Sequence, residues 1–204
     1  MQYFTFLGVG TLPEGYEEAL YSFEDNKEEI HASKYVQSAI IEKFQSAISE
    51  VFVFCTEKSY SLGARNIKNE IKTKFNIDIK FITINEFVKI EEILQKMDEV
   101  LKEDFIIDVT HSFRNIPISV TMISNYLEVS TKKQLKHLFY GNYNRETNEG
   151  LIIDLINQYE NSKIASSLMA FDQFLKISDT YLYNLNDNKI NNLMKGIYQF
   201  NHML

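Results

Sequence analysis

The sequence predicts an α/β fold: a Rossmann-like, doubly wound, mainly parallel sheet with helices on both faces, followed by a C-terminal helical extension. Three observations carry that expectation. Apolar runs of strand length recur along the chain, with segments of helical periodicity between them. Two of those runs, residues 51–55 (VFVFC) and 105–109 (FIIDV), are too continuously apolar to keep a wet face, which marks parallel strands covered on both sides. The β-loop-α units also follow one another without hairpin-length turns, so successive strands must be joined by crossovers.

Taken in order, the first strand covers residues 3–7 and runs into a glycine-punctuated loop at 8–15. Residues 16–23 carry β-favouring aromatics, and Glu24-Asp25-Asn26-Lys27 reads as the polar turn of a short hairpin. Ser33 is placed as the cap of a helix with apolar positions at Tyr35, Val36, Ala39, Ile40, Phe44, Ala47 and Ile48. Strand 51–55 leads through a loop at 56–59 to a helix ending near Phe75, then to a strand at 77–84. The clearest helix is 85–101, with Phe87, Ile90, Ile93, Leu94, Met97, Val100 and Leu101 on one stripe. After strand 105–109 come a helix at 116–127, a strand at 134–140, a loop at 141–150 and a last strand at 151–155, paired antiparallel. Two helices follow, one built on Ile164, Leu168, Phe171, Phe174 and Leu175, the other on Ile190, Leu193, Met194, Ile197 and Tyr198. A domain at 1–160 and a helical extension at 161–204, leading to an effector domain outside these residues, is the expected organisation.

Composition narrows the function. The 204 residues carry a formal charge of −7, with 21 basic and 28 acidic side chains. That sign argues against binding long DNA or RNA, whose affinity rests on neutralising phosphates, but not against a small anion in a local pocket. The single cysteine, Cys55, excludes an intrachain disulfide and a cysteine-rich zinc site, and a reducing cytoplasm is the expected setting. No metal or cofactor is expected. Neither a membrane-spanning run nor a signal peptide is visible.

In an open α/β sheet, ligands bind beyond the carboxyl ends of the strands. The loops at 8–15, 56–59 and 110–115 leave such ends, and Tyr140, Gly141 and Asn142 should lie nearby. The glycine loop GVGTLP is not G-x-G-x-x-G, and no Walker A string occurs, so both nucleotide fingerprints are missing. The most informative string is Asp108-Val109-Thr110-His111-Ser112-Phe113-Arg114-Asn115-Ile116-Pro117. Asp108, ending a buried strand, can accept loop N–H groups and fix the turn. Thr110, His111 and Ser112 then set donors beside a helix start, which favours anions through its free N–H groups and dipole. Arg114 is one of three arginines, with Arg65 and Arg145, and can serve a phosphate or an internal ion pair. From the residues alone, Asp108 and His111 fit a purely structural role equally well.

The string D-V-T-H-S-F-R-N-I-P resembles the D-x-T-H-[GS]-F-R-x-x-P signature of the CRISPR-associated Rossmann-fold (CARF) sensors of type III systems. F-L-G-V-G-T at residues 6–11 resembles that family's first-strand loop, and Y-S-F-E-D at 21–25 its Y-x-F-D-D stretch, with Glu24 in the first acidic position. Tyr140-Gly141 matches its Y-G pair. The likeness spans residues 1–175. It implies binding of a cyclic oligoadenylate, tetra-adenylate favoured over hexa-adenylate, across the junction of a homodimer, to control an effector. A two-fold ring meeting the same loops from each subunit is consistent with that arrangement. The implied ligand-binding residues are Gly10, Thr11, Leu12, Lys58, Ser59, Thr110, His111, Ser112, Arg114, Asn115, Tyr140, Gly141 and Asn142; Phe113 is read as a core anchor and Pro117 as a first-turn residue.

Two other readings stay open. Some CARF domains cleave their activator by in-line attack of a 2′-hydroxyl, without metal. Thr11, Lys58, His111 and Ser112 are the candidates for such a ring nuclease. A generic nucleotide-dependent α/β enzyme or a plain interaction module is the third possibility. A HEPN ribonuclease is excluded within these residues, because none of the three arginines has a histidine four to seven positions after it.

Overall fold

The computed structural model of the chain describes residues 1–9, 16–86, 89–112 and 116–174. The chain divides into two compact units, Met1–Ile156 and Asn157–Leu204. The first holds one sheet of eight strands: β1 (Gln2–Leu7), β2 (Ala19–Phe23), β3 (Asn26–Ser33), β4 (Glu50–Cys55), β5 (Ile79–Thr83), β6 (Phe105–Asp108), β7 (Leu135–Asn144) and β8 (Glu149–Asp154). Their spatial order is β3-β2-β8-β7-β6-β1-β4-β5. The central strands β7, β6, β1, β4 and β5 are mutually parallel. Among the described residues, β2–β3 and β7–β8 are the antiparallel pairs. The expected doubly wound α/β fold is therefore present, with the antiparallel return of β8 as the sequence indicated.

Helices α1 (Val36–Phe44) and α2 (Glu57–Phe75) lie side by side, as do α3 (Ile90–Val100) and α4 (Ile116–Thr131). Strand alternation sorts the central side chains into two sets. Tyr3, Leu7, Val51, Val53, Cys55 and Ile106 join Ile40, Ile67 and Ile71 of α1 and α2 in one cluster. The other parity is phenyl-rich: Phe4 stacks on Phe52 at 5.1 Å, Phe6 on Phe54 at 5.2 Å, and Phe105 meets Phe4 edge-on. Every residue of β1 and β6 is buried, including the polar Gln2, Thr5 and Asp108.

Local differences from the expectation have identifiable causes. Ser33 does not cap α1; it ends β3 opposite Ala19, and its hydroxyl accepts from the Tyr35 N–H at 3.0 Å, leaving Tyr35 as N-cap. Residues 56–59 are no loop but the start of α2. Thr56 caps it by accepting from Ser59 N–H, while Ser59 Oγ accepts from Thr56 N–H, a reciprocal box. The strand expected to stop at Tyr140 continues to Asn144, so Tyr140, Gly141 and Asn142 lie inside β7. The first C-terminal helix is α5 (Ile156–Phe174). The second, like Phe87 of the clearest stripe, lies outside the described residues.

Candidate functional site

The topological switch point falls between β1 and β6, which are neighbours from opposite halves of the winding order. A buried polar network fixes it. Asp108, fully buried at the end of β6, accepts on Oδ2 from Thr5 Oγ1 at 2.6 Å and from Tyr3 OH at 3.4 Å. Its Oδ1 accepts from the Thr110 N–H at 2.9 Å and from Thr110 Oγ1 at 2.5 Å. Thr110 Oγ1 in turn accepts the Gly141 N–H at 2.7 Å. Gln37 of α1 closes the network by donating to Thr5 Oγ1 and to the Phe6 carbonyl. One carboxylate thus ties α1, β1, β6 and β7 together and sets the turn that follows β6. Burial, reinforced by the Asp108 charge, holds the Tyr3 hydroxyl well above its usual range, so it remains a donor.

That turn is Val109 to Ser112. The Ser112 N–H and Oγ both donate to the Val109 carbonyl, at 3.1 and 2.7 Å. His111 packs on Tyr16 with the rings tilted by 57° and centroids 4.9 Å apart, and Tyr16 packs on Tyr35 at 5.1 Å. Its Nε2 is buried and without a partner among the described residues. Burial lowers its proton affinity below the usual 6.5, and the nearby Asp108 opposes that only in part. The imidazole is therefore neutral at pH 7.

Two cavities open at this carboxyl edge, with His111, Ser112 and Gly8 lining both. One, of about 490 Å³, lies over β1 and β4 and is lined by Phe6, Leu7, Phe54, Cys55, Thr56, Lys58, Ser59, Ile84 and Glu86. The start of α2 opens here, so first-turn N–H groups and Lys58 favour an anion, whereas Glu57 and Glu86 limit that preference. Ser59 lines this cavity, but its hydroxyl is committed to the cap. Cys55 is inert, because burial pushes its thiol up to about 11. The other cavity, of about 440 Å³, lies over β1, β6 and β7 and reaches the two hairpins. Its lining adds Tyr16, Glu17, Tyr21, Lys34, Thr110, Gly141, Tyr143 and Arg145. Packing is tight at both glycines of this edge: a Cβ would stand 3.1 Å from Tyr16 OH at Gly8, and 3.0 Å from Thr110 and 3.1 Å from Val36 at Gly141.

The structure therefore brings together Lys58, Ser59, Thr110, His111, Ser112 and Gly141 of the residues expected from sequence. Tyr140 and Asn142 do not line either cavity; strand alternation sends them to the face opposite Gly141 and Tyr143. Gly10, Thr11, Leu12, Phe113, Arg114 and Asn115 lie outside the described residues. Sequence reasoning missed Tyr16, Lys34, Tyr143 and Arg145 as site residues. Only Arg145 carried a signal, as one of three arginines; the others needed the β2–β8 pairing to be known. Among the described residues, no cluster of His, Cys, Asp and Glu has the makings of a metal site, and no helix is long and apolar enough to cross a membrane. Compared with protein-family models and with curated proteins, the chain matches none.

Proposed function

We propose that the unit Met1–Ile156 is a cytoplasmic sensor of cyclic oligoadenylate in a type III CRISPR signalling system. It binds a tetra-adenylate ring in preference to a hexa-adenylate one, across a two-fold junction between two copies, and controls an effector. The observation that carries this reading is the Thr110-His111-Ser112 turn, braced on buried Asp108 and opening at the switch point between two cavities. Residues 108–112 of the D-V-T-H-S-F-R string form this turn and the strand end before it.

The chemistry fits a small polyanion in a chain of net charge −7. Strands β3, β4 and β6 all end at this edge, so α1, α2 and α4 start there and turn the positive ends of their dipoles toward it. Gly8 lets a phosphate approach the backbone of the β1 end. Neutral His111 offers Nε2 as donor or acceptor, and Lys58 adds one mobile charge. A two-fold ring placed over two such edges would meet each of these groups twice.

Calorimetry against cyclic tetra- and hexa-adenylate tests the reading, with His111→Ala as the comparison. Binding that weakens in the variant is expected, and no heat with either ring would overturn the proposal. Chromatography of the same mixtures reads cleavage: a linear product would make the domain a self-limiting nuclease as well as a sensor.

A further inference from the structure

We infer that the cavity between the two hairpins is a nucleotide-unit subsite, with Lys34 and Arg145 as its phosphate-holding residues. The inference rests on the proposed reading for the identity of the natural ligand, but the two cations it assigns lie outside the motif loops. Lys34 follows β3, Arg145 follows β7, and the sheet order separates those strands by β2 and β8. Both residues nevertheless line one cavity with Tyr16, Tyr21, Tyr143 and the Thr110–Ser112 turn.

Several observations point to a ligand rather than to a solvated rim. Neither Lys34 nor Arg145 has a carboxylate partner among the described residues, and both line the same concave space. Two unpaired cations around one concave space attract a phosphate, and the guanidinium can hold it bidentately. Tyr143 presents a partly exposed ring held in place by its hydroxyl, which donates to Asn148 Oδ1 at 2.8 Å. A fixed aromatic face beside a phosphate site suits a stacked base. His111, whose Nε2 is buried and unpartnered among the described residues, belongs to the same lining, as do Gly8 and Gly141. Glu17 is the one carboxylate among the described residues of that lining; it disfavours a bare inorganic anion and offers an acceptor to a base carrying an exocyclic amine. The volume of about 440 Å³ falls within the range of small-molecule sites.

The subsite would hold one nucleoside monophosphate unit, free or as part of a ring. The test uses the full chain, Lys34→Gln, Arg145→Gln and the double variant, with Lys72→Gln as a surface control. Each is titrated calorimetrically with adenosine 5′-monophosphate, cyclic tetra-adenylate and inorganic phosphate, and melting midpoints verify that all variants fold. The expected result is that the double variant binds the ring at least about tenfold more weakly than the full chain. Lys72→Gln should match the full chain, and inorganic phosphate should bind more weakly than the mononucleotide. Ring binding that is unchanged in the double variant would overturn the subsite while leaving the sensor reading intact. Mononucleotide binding lost in the double variant, with no ring binding by the full chain, would support the subsite and overturn the sensor reading. Binding of neither ligand overturns both, and inorganic phosphate binding as tightly as the mononucleotide overturns the nucleotide assignment.

Discussion

Asp108 has more donors pointed at it than any water-exposed carboxylate could hold in place: Thr5, Tyr3 and two groups of Thr110. Truncation to alanine leaves those buried hydroxyls and an N–H without an acceptor. Asp108→Ala should therefore cost about 2–4 kcal/mol, read as a lower urea midpoint at unchanged slope. The importance of this residue was legible in the sequence, because a carboxylate ending a buried apolar strand must find donors. Gly150 was not legible. It lies opposite Tyr21 in the β2–β8 pairing, and a Cβ there would sit 2.4 Å from the Tyr21 ring. Gly150→Ala should destabilise by about 1–3 kcal/mol through overpacking. In a double-mutant cycle, Tyr21→Ala should remove most of that penalty. No local pattern in N-E-G-L announces the contact, since it exists only once two distant segments pair.

At the scale of elements, α2 shows how a short polar string misleads. T-E-K-S contains a capping box with Ser rather than Glu at the third helical position, so it reads as loop although Glu57 is already helical. Thr56→Ala removes the acceptor for Ser59 N–H and should cost about 1 kcal/mol, measured by thermal or urea unfolding. Because α2 begins at the cavity over β4, the same change should loosen the Lys58 region and weaken ring binding more than its stability cost implies. The β2–β3 hairpin was visible through its polar turn, but β3 itself was not. Five consecutive exposed residues, 26–30, hide the alternation of an edge strand. Likewise, β7 outran its expected end because Gly141 and Asn142 look like loop residues, while pairing with Ile152 and Leu151 of β8 keeps them extended. Cys55 gives an element-level check on β4: a buried thiol raised to about 11 should react with iodoacetamide at pH 7 far more slowly than the same thiol in urea.

For the whole molecule, the sequence made the parallel core legible because β4 and β6 are nearly continuous apolar runs, each followed by a helix. It could not order the outer strands, whose neighbours come from opposite ends of the chain: β2 joins β8, and the hairpins thereby gather Lys34, Tyr143 and Arg145 above the switch point. The site is thus a product of global topology, while the turn at its centre is local. His111 links the two in a pH dependence. Burial holds its folded proton affinity below 6.5, so the unfolded chain binds a proton that the folded chain refuses as pH falls through that value. Stability supplied by the neutral imidazole is then fully present above pH 6.5 and is lost progressively below it. Urea unfolding at pH 7.5 and pH 5.5 should show this loss, and His111→Gln should reduce it; an equal loss in the variant would assign the effect elsewhere. A phosphate beside Nε2 would reverse the sense for binding, since an anion favours the imidazolium. Ring binding should therefore take up a proton and tighten as pH falls from 7.5 toward 6. Calorimetry in buffers of different ionisation enthalpy measures that uptake directly. An uptake abolished by His111→Gln would place the phosphate at this ring, whereas binding with no linked proton would place it elsewhere on the edge.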